Sequence, residues 1–313
     1  MTKIDRIKSS FLKSANDYEI NYKSMHWTYY NNLKEGLYNL EGLKEFRNNK
    51  LNLNIDDKSE NVEQLMLLFK KLLEKVGEGY ILKNLDRNNI GNNKHFFKYK
   101  GGFVDFNLLH QINILYEITS LVKFTQNSIV CEIGGGYGHL SKLLLNNFNS
   151  KIILIDLPEA NFLSSYYLME NFKDLKFLLY SEINKKNLEK KDIINYDVVI
   201  IPPWVKVDGV DIDVFINIRS MMEMTTDIIK TYFSTIQKNI VLNGFFININ
   251  RYLKNSVGSN VMLSDYPYDN YWAIASSKQN DFQPHVHQLI TKRIDRSGEG
   301  LKKELKSIEK FTK

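Results

Sequence analysis

From residue 128 onward, short apolar runs alternate with longer segments whose apolar positions recur every three or four residues. The runs at 129–133, 151–155, 176–180, 197–201, 245–250, 272–276 and 285–292 are predicted strands. Segments near 139–147, 158–172 and 220–238 are predicted helices, the second opening on Pro158, which suits a first helical turn. Strand and helix in alternation predict an α/β fold: a Rossmann-like, seven-stranded, mostly parallel sheet with helices on both faces. The first 126 residues read differently. Helical spacing covers Lys3 to Glu19, Val62 to Val76 and Phe106 to Phe124, without strand alternation, and the polar stretches 47–60 and 84–102 read as loops. The pattern divides the chain into a helical cap over 1–126, an α/β domain over 127–300 and a charged tail over 301–313.

The first predicted strand ends in the densest glycine cluster of the chain, Glu132-Ile133-Gly134-Gly135-Gly136-Tyr137-Gly138. Strand, glycine turn and helix in that order bring backbone close to a ligand, because no Cβ intervenes and φ is free to be positive. The next strand ends at Asp156, 22 residues after Gly134. An acidic side chain there is placed to hold two ribose hydroxyls. A dinucleotide site would prefer G-x-G-x-x-G facing a pyrophosphate. Here a carboxylate, Glu132, precedes the glycines. It would repel a pyrophosphate and suits a cationic ligand such as S-adenosylmethionine (SAM), which carries a sulfonium and an ammonium.

Composition narrows the setting. Lys and Arg total 42 against 36 for Asp and Glu, a formal +6 spread along 313 residues. No basic run is interleaved with aromatics, so nucleic acid is not an expected partner. The single cysteine, Cys131, falls inside the first predicted strand and fits a reducing compartment. The opening Met1 to Asp5 is too charged to start a secretion signal, and no apolar run approaches the ~20 residues of a membrane span. The expectation is a cytoplasmic protein without a membrane span, with homo-oligomerisation left open.

The glycine turn resembles the first motif of class I SAM-dependent methyltransferases, E/D-x-G-x-G-x-G. Three further segments narrow the resemblance: Ile155-Asp156-Leu157-Pro158-Glu159, Asn217-x-Arg219-Ser220-Met221-Met222-Glu223-Met224, and Gln283-Pro284-His285 through Arg293. Together they resemble the sugar O-methyltransferases of bacterial polysaccharide gene clusters, over roughly residues 105–295. The resemblance implies SAM as cofactor and a sugar, nucleotide-linked or part of a surface polysaccharide, as acceptor. It implies an antiparallel last strand. It places Glu132, Gly134, Gly135, Gly136 and Gly138 around the methionine end, Asp156 on the ribose, and Leu157 and Glu182 near the adenine. Pro202 is expected beside the transferred methyl, and Trp204, Arg219 and Tyr137 beside the acceptor.

Methyl transfer to a hydroxyl needs alignment and removal of a proton. His285 and His287, two apart in a predicted strand, would face the same side. They are read as a general base, as half of a metal site with Asp208 or Glu223, or as structural residues. Glu223, four after Arg219, is read either as a helical ion-pair partner or as a catalytic group at the acceptor. Ile201-Pro202-Pro203-Trp204 sits where amino-group methyltransferases carry Asn/Asp-Pro-Pro-aromatic, but Ile201 cannot accept a hydrogen bond through its side chain. N-methylation through this turn stays open as the alternative, as does a SAM-binding partner without catalysis. His26, His110 and Met221, Met222 and Met224 are read as packing residues, and His139 equally as a cofactor contact or helix surface.

Overall fold

The computed structural model describes the chain except residues 19–21, 25–26, 29–39, 49–61, 184–186, 256–259 and 313, so His26 and most of the expected 47–60 loop lie outside the described residues. Eight strands form the central sheet: β1 (Ile129–Ile133), β2 (Lys151–Ile155), β3 (Phe177–Leu179), β4 (Val198–Ile201), β5 (Ile212–Ile218), β6 (Ile240–Arg251), β7 (Trp272–Gln279) and β8 (Val286–Arg293). Their spatial order is β7-β8-β6-β5-β1-β2-β4-β3. The six strands from β3 to β6 in that row are parallel, and β8 runs antiparallel to both β6 and β7.

One strand more is present than the apolar runs predict. It is β5, where Ile212, Val214, Ile216 and Ile218 alternate with Asp213, Phe215 and Asn217. The consequence is positional. β5, not the strand ending at Ile201, lies beside β1, and β4 is inserted on the other side between β2 and β3. The predicted helix from Ser220 becomes a 3-10 turn, Met221–Glu223, followed by α6 (Thr226–Asn239), whose cap Thr225 accepts from Ile228 N–H.

Helices cover both faces. α3 (Phe106–Thr119), α4 (His139–Phe148) and α5 (Pro158–Asn171) share one apolar cluster with the faces of β1 and β2; α6 and α7 (Gly300–Ile308) share the other. The expected tail is thus a docked helix, seated by Leu301, Leu305 and Ile308. The first cluster also takes in Ile7 of α1 (Lys3–Asn16), Phe46, and Leu65, Phe69 and Leu72 of α2 (Val62–Val76). The boundary at 126 therefore marks a change of sequence pattern, not of packing. Inside the expected 84–102 loop, Phe97–Tyr99 and Gly102–Val104 pair as a hairpin, turned by Lys100 (φ 43°) and Gly101 (φ 79°), the left-handed pair that tight hairpins need. No helix among the described residues is long and apolar enough to cross a membrane.

A buried ion cluster ties the early residues to α4. Arg47, Asp86, Asp105 and Lys142 are each at most 5% exposed. Arg47 donates to Asp86 (2.9 Å) and to Asp105, and Lys142 donates to the other oxygen of Asp86 (3.1 Å). Asp105 also caps α3 through Leu108 N–H. Burial pushes the Asp86 carboxyl up, but Lys142 and Arg47 outweigh it and hold it at about 2. A depressed acid stabilises the fold above its unfolded pKa and loses that contribution as the pH falls through its folded value. Acid unfolding should therefore include a loss between about pH 4 and pH 2 that is missing in Asp86→Ala. That variant, which leaves Arg47 and Lys142 with reduced compensation, should lose about 3–5 kcal/mol at pH 7 by denaturant unfolding.

Candidate active site

The chain leaves β1 for β2 on one side and returns to β5 on the other. Such a reversal of strand order leaves a crevice at the carboxyl ends of the strands. The glycine turn forms its floor. Gly134, Gly136 and Gly138 have φ of 71°, 59° and 85°. A Cβ on Gly134 would lie 1.8 Å from Ser220 Oγ, so the turn after β5 closes over a position only glycine fits. Gly136 has open space where a Cβ would stand. Its N–H donates to Asp156 (2.8 Å), and Leu157 N–H donates to the other carboxylate oxygen (2.7 Å).

Two adjoining cavities share Gly134 and Gly136. The first, about 540 Å³ including its mouth, is walled by Asp156, Leu157, Ser220, Glu223 and Tyr232, with Tyr22 and Trp27 of the N-terminal segment opposite. Ser24, beside those aromatics, donates to the Glu223 carbonyl at 2.7 Å. The second, about 680 Å³ including its mouth, is walled by Glu132, Tyr137, His139 and Arg219, with Asn107, His110 and Gln111 of α3 opposite.

Buried asparagines hold the wall between the cavities. Asn217 donates to the Ile133 carbonyl (2.8 Å) and accepts from Met221 N–H (3.0 Å) and Asn250 (2.8 Å); Asn250 accepts from Met222 N–H (3.2 Å). These amides fix the 219–223 turn against the end of β1. At the first residue of that turn Arg219 has φ 57°, a conformation that costs a non-glycine residue about 1–2 kcal/mol. Its N–H donates to the Ile249 carbonyl at 2.7 Å.

Two carboxyls face the cavities with raised pKa values. Burial lifts Glu132 to about 7, partly offset by Ser141 Oγ, which donates to it. Burial lifts Glu223 to about 7 against the pull of Lys254, Arg219 and Arg251. The imidazoles move the other way. Burial, helped by Arg219 and opposed by Gln283, lowers His110 to about 4; burial with Lys142 and Arg47 lowers His139 well below the usual histidine range. At neutral pH both histidines are uncharged.

The structure brings together Glu132, Gly134, Gly135, Gly136, Tyr137, Asp156, Leu157, Arg219 and Glu223 around the turn; Gly138 starts α4 directly behind it. It separates the others from it. Glu182 is bound by Arg6 (2.6 and 3.0 Å) and by Leu179 N–H at the end of β3, because β4 stands between β3 and the Asp156 strand. Pro202 and Trp204 follow β4, two strands from β1, and line neither cavity; the Trp204 ring packs edge-on against Tyr18 at 5.7 Å. The two histidines do not sit together. β8 begins at Val286, so His285 is exposed in the preceding turn, while His287 is buried with Ser277 Oγ at 2.8 Å and Tyr252 OH at 3.1 Å on its two ring nitrogens. Neither lines the cavities. Asp208 pairs at the surface with Lys238 (2.8 Å), and among the described residues no three His, Cys, Asp or Glu gather as a metal site. Conversely, His110, bland in the sequence, is a cavity wall, as is His139, read there equally as a cofactor contact or helix surface. The cluster of polar residues Asn107, His110 and Gln111 near the start of this helix is the available signal.

No protein-family model and no curated protein matches the chain. Similar solved structures include the pyocyanin biosynthetic protein PhzM (13% identity, TM-score 0.41, covering 60% of this chain and 57% of that one). Geranyl diphosphate C-methyltransferase from Streptomyces coelicolor A3(2) has 10% identity and TM-score 0.43, covering 59% of this chain and 77% of that one. The mitomycin 7-O-methyltransferase MmcR has 14% identity and TM-score 0.39, covering 74% of this chain and 66% of that one. This chain thus spans little more than half the length of PhzM. Likeness at this level leaves the chemistry of the site to its own residues.

Glu132 offers a direct check. An acid whose folded pKa is raised favours the folded state below its unfolded pKa, and this is lost as the pH rises through the folded value. With values of 4.5 and about 7, Glu132 should destabilise the ligand-free protein increasingly from about pH 5 to 8. Glu132→Gln should raise Tm at pH 8 by roughly 2–4 °C and change little at pH 5 in differential scanning calorimetry.

Proposed function

We propose that the chain is a SAM-dependent methyltransferase that moves a methyl group to a sugar hydroxyl, nucleotide-linked or in a surface polysaccharide. One observation carries the cofactor reading: an open glycine turn with a buried carboxylate, Glu132, in one cavity and a half-buried one, Asp156, in the other. The residues fit such a ligand. Gly136 leaves its backbone uncovered, Asp156 stands where ribose hydroxyls would be held, and Glu132 is a buried acid whose charge a cation would compensate. Leu157 and Tyr232 offer apolar surface to a base. Bound SAM supplies an electrophilic methyl on a positively charged sulfur.

The chain's own part is to orient the acceptor and take its proton. Glu223 is the best-placed base: it shares a wall with Gly134, Gly136 and Ser220, and a carboxyl near 7 is suited to accept a proton at neutral pH. The aromatic and serine residues of the N-terminal segment line the same cavity. The sugar rests on the resemblance of the 217–224 and 283–293 segments and on the hydrogen-bonding character of the second cavity. The turn at Pro202 offers little to an amine-methylating reading, since it lies two strands from the glycine floor.

Asp156→Ala should weaken SAM binding at least roughly tenfold in calorimetry, the loss expected for charge-assisted hydrogen bonds. Glu223→Gln should keep SAM affinity and lower kcat by about 10²–10⁴. The wild-type rate should rise with pH and level off above about 7, because the base works deprotonated. Wild-type protein that binds SAM and transfers nothing to any sugar or amine would be a binding protein instead of an enzyme.

A further inference from the structure

We propose that the second cavity holds the ring of the acceptor, a polyhydroxylated one, while the reacting hydroxyl reaches the Gly134 and Gly136 turn that this cavity shares with the one walled by Glu223, and that His139 is a specificity-determining hydrogen-bond donor. The proposal rests on the SAM reading above.

Among the described residues, the buried side-chain atoms without a hydrogen-bond partner on the walls of this one cavity include His110 Nε2, Gln111 Oε1 and His139 Nε2. His110 and His139 are 4% and 2% exposed. Buried polar groups in native proteins are nearly always paired, so these orphans on one chamber mark a place where a ligand completes them.

The tautomer of His139 follows from its neighbours. Its Nδ1 lies 3.1 Å from the Asn107 amide nitrogen and 2.9 Å from the Tyr137 hydroxyl. An amide NH₂ only donates, so Nδ1 accepts, and in the neutral ring the proton sits on Nε2. Asn107 also donates to the Tyr137 hydroxyl, so one amide nitrogen ties the ring and the phenol together. The ring is stacked on Tyr137 at 5.5 Å and cannot swing away cheaply. A fixed N–H therefore lines the chamber and calls for an oxygen lone pair. Gln111 and His110, on the facing helix, add amide and imidazole groups that suit hydroxyls as donors or acceptors.

The test uses the full chain and UDP-glucose, UDP-galactose and GDP-mannose as probes, with S-adenosylhomocysteine (SAH) affinity measured in parallel. At least one sugar should be methylated. In His139→Leu its KM should rise roughly five- to tenfold with SAH affinity within about twofold of wild type. His139→Gln, whose amide nitrogen can replace Nε2–H, should restore most of the loss. Gln111→Leu, a partly exposed position, provides the same comparison if His139→Leu does not fold. An unchanged acceptor KM overturns the proposal, as does a loss of SAH affinity parallel to the KM change, which would assign the chamber to the cofactor. SAH binding without methylation of any of the three sugars also overturns it while leaving the cofactor reading standing. Wild-type protein that fails to bind SAH overturns that reading itself.

Discussion

A parallel sheet cannot close its carboxyl edge where neighbouring connections part, and in this chain they part at Ile129–Ile133. The connection to Lys151–Ile155 passes over one face and the return to Ile212–Ile218 over the other. Between them the last residues of the first strand have lateral partners but nothing above them. The chain meets this gap with glycine, whose backbone can turn sharply and stay uncovered. Everything polar near the edge is arranged relative to that turn: Asp156 holds it from one side, Ser220 rests on it from the other, and Asn217 bonds the strand carbonyl beneath it.

The edge works against stability. Glu132 and Glu223 are buried carboxyls lifted to about 7, and Arg219 holds a left-handed backbone. Each costs free energy and is kept in place by rigid surroundings, the asparagine ladder above all. Strain and half-compensated charge gathered at one crevice is the distribution expected when a ligand completes the site.

The glycine turn, Asp156 and the alternation of strand and helix are legible in the sequence because each is a local pattern with a local cause. The neighbours of the first strand are not. An apolar run such as Val198–Ile201 carries no sign of which strand it will pair with, so pattern alone sets it in the place that belongs to Ile212–Ile218. The Pro-Pro-Trp turn is misplaced with it. His285 and His287 share a face only if their strand begins one residue earlier than it does. His110 is bland in the sequence, and His139 undecided between cofactor contact and helix surface, because a histidine's role depends on what the opposite wall presents, and that wall comes from another part of the chain.

The Arg47–Asp86–Lys142 cluster has a consequence for how such a chain can change over evolutionary time. Its members come from three separate stretches, one of them the helix that follows the glycine turn. Replacing the first hundred residues with a foreign segment would strip Lys142 of its counter-charge deep in the core. The first hundred residues are therefore not an interchangeable module: side chains on the cavity walls can change one at a time, whereas the segment as a whole is held by a counter-charge in the core.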